Sequence, residues 1–495
     1  MDYQIKYRCH GKEFVNNSIY AEVKLVSESD RLRLTIIPKE EIQMESAVIS
    51  LDDKLNEGEK FFSEGFQSWT DTMEMSYEQS TRKMGFLGRM KFLDKKYGFT
   101  AYGDYNFVPY RNHYSFDFTY LRHLDACRFY GSITERNGYT IFFLDGRNLK
   151  ATKDIAGIFI SSAYELFNLL IVKGTKDEVF NQYATAIGGQ LRTKKKIKGF
   201  TTWYRYYDKI TAQDLIEDVE KIKKRNLDIE FIQLDDGFET QAGDWTSLIK
   251  EKFPDGLEPL VKKIKEEGYK PGLWLAPFAA GKDSELAAKH PDWLVKDSAG
   301  QPILAGSNWG TFYALDIEKD EVKEYIHSFL DFYKKMGFML FKLDFLYAAA
   351  LIPTRTKTRG QLMTEAMEFI RKELDDVLIL GCGVPMFQAF FNVDYCRIGM
   401  DVTPEFNSKF LFRHLHRETP STKYAIGNIV ARAPFDGRFF MNDPDVIFFA
   451  DDKMTPEQMD MLYQADQKYG SLFFTSDDVS KWTASDITKW NGLGK

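Results

Sequence analysis

Over the first 190 positions, apolar residues come in short alternating runs. Beyond that point, compact apolar runs are separated by stretches of helical period. Arg33-Leu34-Thr35-Ile36-Ile37, residues 139–143 and Ile158-Phe159-Ile160 are rich in β-branched and aromatic residues and sit between Gly, Asn and Asp clusters. They read as strands of an N-terminal antiparallel β-sandwich over residues 1–190. A linker at 191–199 follows, and the rhythm then changes to βα units. The first strand is read at 200–204. Thr211, with Asp214 three residues on, opens a helix striped by Leu215, Val219 and Ile222. A second strand at 229–234 precedes a helix striped by Leu257, Leu260, Val261 and Ile264 that stops at Gly268. Residues 271–275 form a third strand before a long loop through Trp293 and Trp309. Val322, Tyr325, Ile326, Phe329 and Tyr333 stripe the next helix, which ends at Gly337, and 341–344 is a fourth strand. Strands five to eight are expected at 378–380, 395–398, 424–426 and 446–449. Eight βα periods within 200–470, with long loops after the third and fourth strands, predict an α/β fold of the (β/α)8 TIM-barrel type. A doubly wound sheet shares the alternation and is the weaker reading. Residues 471–495 are expected to be a short C-terminal extension.

The 495 residues exceed one ordinary core, and a 44% hydrophobic content is ample for two. A net charge of −7 and a pI near 5.7 speak against a nucleic-acid surface. The one dense basic run, Arg192 with Lys194, Lys195, Lys196 and Lys198, reads as a solvated connector. The four cysteines (Cys9, Cys127, Cys382 and Cys396) contain no Cys-x-x-Cys pair and are too few for a disulfide framework. No apolar run approaches ~18 residues, and the first residues lack a signal-peptide pattern. A reduced, cytoplasmic protein with no membrane partner is the expectation.

In barrels of this kind, the site forms at the C-terminal ends of the strands. The residues placed there are Trp203 and Tyr204 after the first strand, Asp235 and Asp236 after the second, and Trp274 on the third. Lys342 and Asp344 follow on the fourth, Cys382 and Gly383 after the fifth, Arg397 and Asp401 after the sixth, and Asp443 and Asp445 beside the eighth. Lys342 and Asp344, two apart on a strand, face one space, where the ammonium is expected to keep the carboxylate ionised. Acids and bases that hold hydroxyls, beside aromatic faces, suit a sugar. Singly, each has a plain alternative: Asp-Asp-Gly as a turn, Lys-x-Asp as a structural ion pair, Cys382 as a small filler, the tryptophans as core. Asp235 with Asp236 resembles a Mg²⁺ pair, but no glycine-rich phosphate cradle accompanies it. His414 and His416 lie in a basic helical stretch with no third ligand, so no metal and no cofactor is expected.

The chain resembles the α-galactosidases of glycoside hydrolase family 36. The resemblance rests on Glu64-Gly65-Phe66-Gln67-Ser68-Trp69, Thr202-Trp203-Tyr204, Gln233-Leu234-Asp235-Asp236 and Gly272-Leu273-Trp274-Leu275-Ala276-Pro277-Phe278. It continues through Phe341-Lys342-Leu343-Asp344-Phe345, Leu380-Gly381-Cys382-Gly383, Arg397-Ile398-Gly399-Met400-Asp401 and Asn442-Asp443-Pro444-Asp445. It implies a retaining mechanism, with Asp344 as nucleophile and Asp401 as acid/base. It further implies Asp235 and Asp236 on the O4 and O6 hydroxyls of galactose, Lys342 on O3 and O4, and Cys382 and Arg397 around O2. Trp203, Tyr204 and Trp274 would form the aromatic lining, with Trp69 reaching in from the N-terminal domain. Lys342 is expected to depress the pKa of Asp344, and the charge of Asp344 to favour the protonated form of Asp401. Family members usually carry a C-terminal β-domain, expected here to be reduced or absent. The implied substrates are melibiose- and raffinose-type oligosaccharides, and a homo-oligomer fits the same family. An N-acetylgalactosamine-preferring enzyme and a galactosyl-transferring enzyme share this site, while a non-catalytic sugar binder would be expected to lack one of the two reacting acids.

Overall fold

The computed structural model describes residues 2–81, 90, 101–102, 113–407, 419–450 and 453–494. His414 and His416 lie outside them. The N-terminal part holds two antiparallel sheets of seven strands each. In one, Ile42–Lys54 lies between Tyr3–Cys9 and Asn148–Lys153; in the other, Arg31–Pro38 lies between Ala21–Ser27 and Tyr164–Gly174. Side chains alternate across a strand, so Arg31–Pro38 buries Leu32, Leu34 and Ile36 and turns its intervening residues outward. Those side chains share one core with Ile5, Tyr7 and Ile49 of the first sheet. Phe62, Phe118, Tyr120 and Phe129 of the second sheet belong to a different core, the one that fills the C-terminal part. There the rings of Phe118 and Phe435 lie 5.8 Å apart, edge to face.

Hydrogen bonding joins the two parts as well. Glu64 and Arg432, both fully buried, form an ion pair, and Arg432 also donates to the carbonyls of Ser68 and Ile398. A buried guanidinium must be paired and bonded in this way to be tolerated. The pair therefore locks the Glu64–Trp69 segment against the C-terminal part.

That part is organised around a parallel sheet. Its strands are β1 (Ile197–Thr201), β2 (Phe231–Leu234), β3 (Lys270–Leu275), β4 (Leu340–Leu343), β5 (Leu378–Gly381), β6 (Tyr395–Arg397), β7 (Met441–Asp443), β8 (Val446–Ile447) and β9 (Leu472–Thr475). Their spatial order is β7-β6-β5-β4-β3-β2-β1-β9-β8. The two ends of that order are thus neighbours in the chain, separated by Pro444 and Asp445. Helices alternate with the strands. The capping box of Thr211 and Asp214 starts Ala212–Lys224, which buries Leu215, Val219 and Ile222. Gly337, at φ 109°, ends Asp320–Met336 in the left-handed conformation that glycine adopts without strain.

Four sequence expectations are corrected. The first parallel strand ends at Thr201, and Trp203–Tyr206 is a short helix. Residues 424–426 are not a strand but lie within the helix Thr422–Ala431. Its buried Ala425, Asn428 and Ile429 follow the helical i, i+3, i+4 spacing, which a three-residue apolar run cannot reveal. The stretch at 446–449 supplies β8 beside β9, so the last parallel strand is Leu472–Thr475, inside the segment expected to be an extension. A helix, Ala484–Gly492, then buries Trp490, whose ring nitrogen donates to the Asp228 carbonyl at 3.0 Å. Finally, the basic run at 192–198 is not simply solvated. Lys198 is buried within β1 and bonded to Asp228 at 2.8 Å, and Lys195 reaches Glu230 at 2.6 Å. Among the described residues, no helix is long and apolar enough to cross a membrane.

Candidate active site

The C-terminal ends of the parallel strands enclose a hollow of about 210 Å³, below the ~300–1,000 Å³ usual for ligand pockets and of a size for one sugar ring. Eight of the twelve expected site residues line it: Trp69, Trp203, Asp235, Asp236, Trp274, Lys342, Asp344 and Asp401. The other four, Tyr204, Cys382, Gly383 and Arg397, stand behind that wall and hold it.

Asp344 follows β4 directly and is buried. One of its oxygens accepts from the Trp274 ring nitrogen at 3.0 Å and the other from the backbone N–H of Phe345 at 2.9 Å. Phe345 sits at φ 53°, a left-handed backbone that costs a non-glycine residue about 1–3 kcal/mol. Behind Asp344, the Cys382 sulfur accepts from the Trp69 ring nitrogen at 3.1 Å. Gly383, at φ 61°, has no room for a side chain: a Cβ there would meet the Trp69 ring at 2.9 Å and the Phe345 Cα at 3.1 Å.

The expected Lys342–Asp344 partnership differs from what is observed. The Lys342 ammonium is bonded to Asp235 at 2.9 Å. Burial pushes the Asp344 carboxyl above its usual range, and the attraction of Lys342 and the Trp274 hydrogen bond only partly offset it. The Asp235 oxygen that meets Lys342 also accepts from Gln233 at 2.8 Å and Thr201 at 3.3 Å, while its other oxygen accepts from the backbone N–H of Asp236 at 3.0 Å. Asp236 accepts from the Trp309 ring nitrogen at 2.9 Å. Beneath it, the buried Glu239 has its pKa raised well above normal by burial and by the charge of Asp236. Burial raises the pKa of Asp236 as well.

Asp401, half-exposed, lies across the hollow. Its carboxylate meets Arg397 at 2.8 Å. Arg397 is buried and also donates to Asp443 at 3.1 Å and Asp445 at 2.8 Å. Tyr204 donates its hydroxyl to Asp445 and does not line the hollow. Burial pushes Asp445 up to about 7, with Arg397 pulling it back. Sequence reasoning missed Tyr102, Ser307, Asn308, Phe345 and Pro420, which also line the hollow. Trp309 was visible only as a loop landmark, and Tyr102, which bonds Asn308 at 2.7 Å, carried no pattern at all.

Behind Asp443 and Asp445 lies Asp466, fully buried, with neither oxygen hydrogen-bonded among the described residues. Burial and then the two neighbouring carboxylates raise its pKa well above normal. The folded protein thus keeps a proton that the unfolded chain releases, and stability falls as pH rises above the ordinary carboxylate range. Asp466→Asn should remove that fall. Urea unfolding at roughly pH 5 and 8 should show the variant's advantage over the parent growing by about 1–3 kcal/mol between the two.

Among the described residues, the one Cys/His/acid grouping close enough to hold an ion is Cys9, His10 and Glu40, on the N-terminal sheets. The acids of the hollow form no such grouping. They are instead spread around a sugar-sized space with tryptophan faces between them, the arrangement of a carbohydrate-cleaving α/β protein. Residues 179–361 match the Melibiase family model, and the resemblance to glycoside hydrolase family 36 α-galactosidases holds. Over 179 residues, 32% of this chain, it is 30% identical to α-galactosidase 1 of Pediococcus pentosaceus. Over 129 residues, 24% of the chain, it is 37% identical to an A type blood α-D-galactosamine galactosaminidase of Flavonifractor plautii. These matches span only 23% and 12% of those proteins' lengths. The fold is also that of an α-galactosidase from Thermus thermophilus solved in complex with stachyose. That comparison has a TM-score of 0.77 and 24% identity, and covers 99% of each chain.

Proposed function

We propose that the protein is a retaining α-galactosidase that removes terminal α-galactosyl groups from melibiose- and raffinose-type oligosaccharides. The observation that carries this reading is that Asp344 and Asp401 face one sugar-sized hollow from the segments after different strands, β4 and β6, each held by its own set of donors. Asp344 attacks the anomeric carbon as Asp401 protonates the departing oxygen, giving a β-linked galactosyl-enzyme. Asp401 then takes a proton from water, which attacks the same carbon and releases α-galactose. Asp235, Asp236 and Lys342 hold hydroxyls, and Trp274, Trp203 and Trp69 pack the apolar parts of the ring. The same reading treats the parallel sheet as a closed (β/α)8 barrel and the N-terminal sheets as a sandwich. The adjacency of β7 and β8 in the chain supports the first, and the core shared by the two antiparallel sheets supports the second.

The test is a panel of aryl α-glycosides of galactose, N-acetylgalactosamine and glucose, with product anomers followed by NMR. Galactoside cleavage with α-galactose formed first is expected. First-formed β-galactose, or no galactoside cleavage, overturns the reading. The same assay carries a pH expectation. Asp344 must be ionised to attack and burial raises its pKa. The acidic limb of kcat/KM should therefore lie above the usual aspartate value of about 3.9.

A further inference from the structure

The chain between β7 and β8, the two ends of the parallel sheet's order, consists of Pro444 and Asp445. Asp445 has φ 90°, a conformation strained for any side chain but glycine's absent one, and it is almost completely buried. Its two oxygens are fully used. One accepts from Arg397 at 2.8 Å; the other accepts from the backbone N–H of Val402 at 3.0 Å and from the Tyr204 hydroxyl. Its own N–H donates to Asp443 at 2.8 Å, and Asp443 in turn accepts from Arg397 at 3.1 Å.

Two of these contacts lead to Asp401 by different routes. Val402 is its chain neighbour, so the Val402 bond fixes the backbone from which Asp401 projects. Arg397 touches the Asp401 carboxylate itself, so the Arg397 bond fixes the charge beside it. We infer that Asp445 is a positioning residue for the reaction proposed above, aiming Asp401 at the departing oxygen and dividing the Arg397 charge so that Asp401 is free to act as an acid. A single guanidinium faces three carboxylates, those of Asp401, Asp443 and Asp445. The other charged or titratable groups facing Asp445 are Lys342 across the hollow, Tyr204 from the short helix after β1, and Asp466 from the helix Pro456–Tyr469. Neutralising Asp445 hands more of the Arg397 charge to Asp401, which favours the carboxylate there and opposes its work as a proton donor. The oxygen that binds Val402 and Tyr204 remains available in an amide, so the backbone has a route to stay in place.

The inference rests on Asp401 being the acid/base, and the experiment separates the two. For Asp445→Asn, kcat/KM is measured on melibiose and on an aryl α-galactoside with an activated leaving group, beside Asp401→Ala and the parent. The expected result is a loss of about tenfold on melibiose and less than about threefold on the activated substrate, with the alkaline limb of the melibiose profile moved to lower pH. Equal losses on both substrates with an unmoved limb would mean that Asp445 is merely structural. No loss on either would remove it from the mechanism. If Asp401→Ala itself fails to distinguish the two substrates, it is the acid/base reading that falls. Should Asp445→Asn not fold, Tyr204→Phe withdraws one donor from Asp445 without touching Asp401, and the ratio of its two losses decides by the same criterion.

Discussion

Asp344→Gly lowers turnover of aryl α-galactosides at least about 10³-fold and leaves the protein folded, because the residue removed is a buried carboxyl whose own desolvation works against the fold. The loss is large because, in the proposed mechanism, Asp344 is the group that forms the covalent bond. The Lys342 ammonium, paired with Asp235, has no lone pair with which to attack, and Cys382 lies behind the wall against Trp69. Azide enters the space vacated by the carboxylate and attacks from the same side, so a single inversion gives the β-galactosyl azide. Mass spectrometry and NMR of that product check the assignment. An α-azide would move Asp344 to acid/base work, and parent-like turnover would remove it from the chemistry.

Asp401→Ala produces the second large effect, and its size depends on the substrate. The glucose unit expelled from melibiose would leave as an alkoxide and needs its proton, so kcat/KM for melibiose falls by about 10²- to 10⁴-fold. An aryl group that leaves readily as its anion barely needs that proton, and kcat/KM for it is largely kept. Side-by-side kinetics decide the matter, and equal losses on the two substrates contradict the role of acid. In this variant, azide accelerates the second step and yields the α-azide, the opposite anomer to the one expected with Asp344→Gly.

The strand ends of the parallel sheet were legible because each carries a distinctive polar residue at the end of an apolar run, as at Gln233-Leu234-Asp235-Asp236 and Phe341-Lys342-Leu343-Asp344. The helices were legible where caps coincided with stripes, as at Thr211 and Gly337. What escaped lacked a local signal. Residues 424–426 offered three apolar positions and no caps, and burial decided their helix. Leu472–Thr475 holds an apolar run of only three residues, Leu472-Phe473-Phe474, and its strand character comes from the neighbours it pairs with, β1 and β8. In the site, residue identities could be read but partnerships could not. Lys342 and Asp344 share a face, as their spacing requires, yet Lys342 leans across to Asp235, on another strand, 107 positions earlier. Sequence proximity sets which way a side chain points. Which charge it finds is decided by the sheet.

Trp69 and Tyr102, which form part of the wall of the hollow, both come from the region before the parallel sheet, and Trp69 is wedged against Gly383 so closely that no larger residue fits there. A segment that supplies none of the reacting groups therefore sets how far the mouth opens on one side. Changes of preference for shorter or longer saccharide chains can accordingly arise by substitutions in that remote segment, leaving the bond-breaking apparatus untouched.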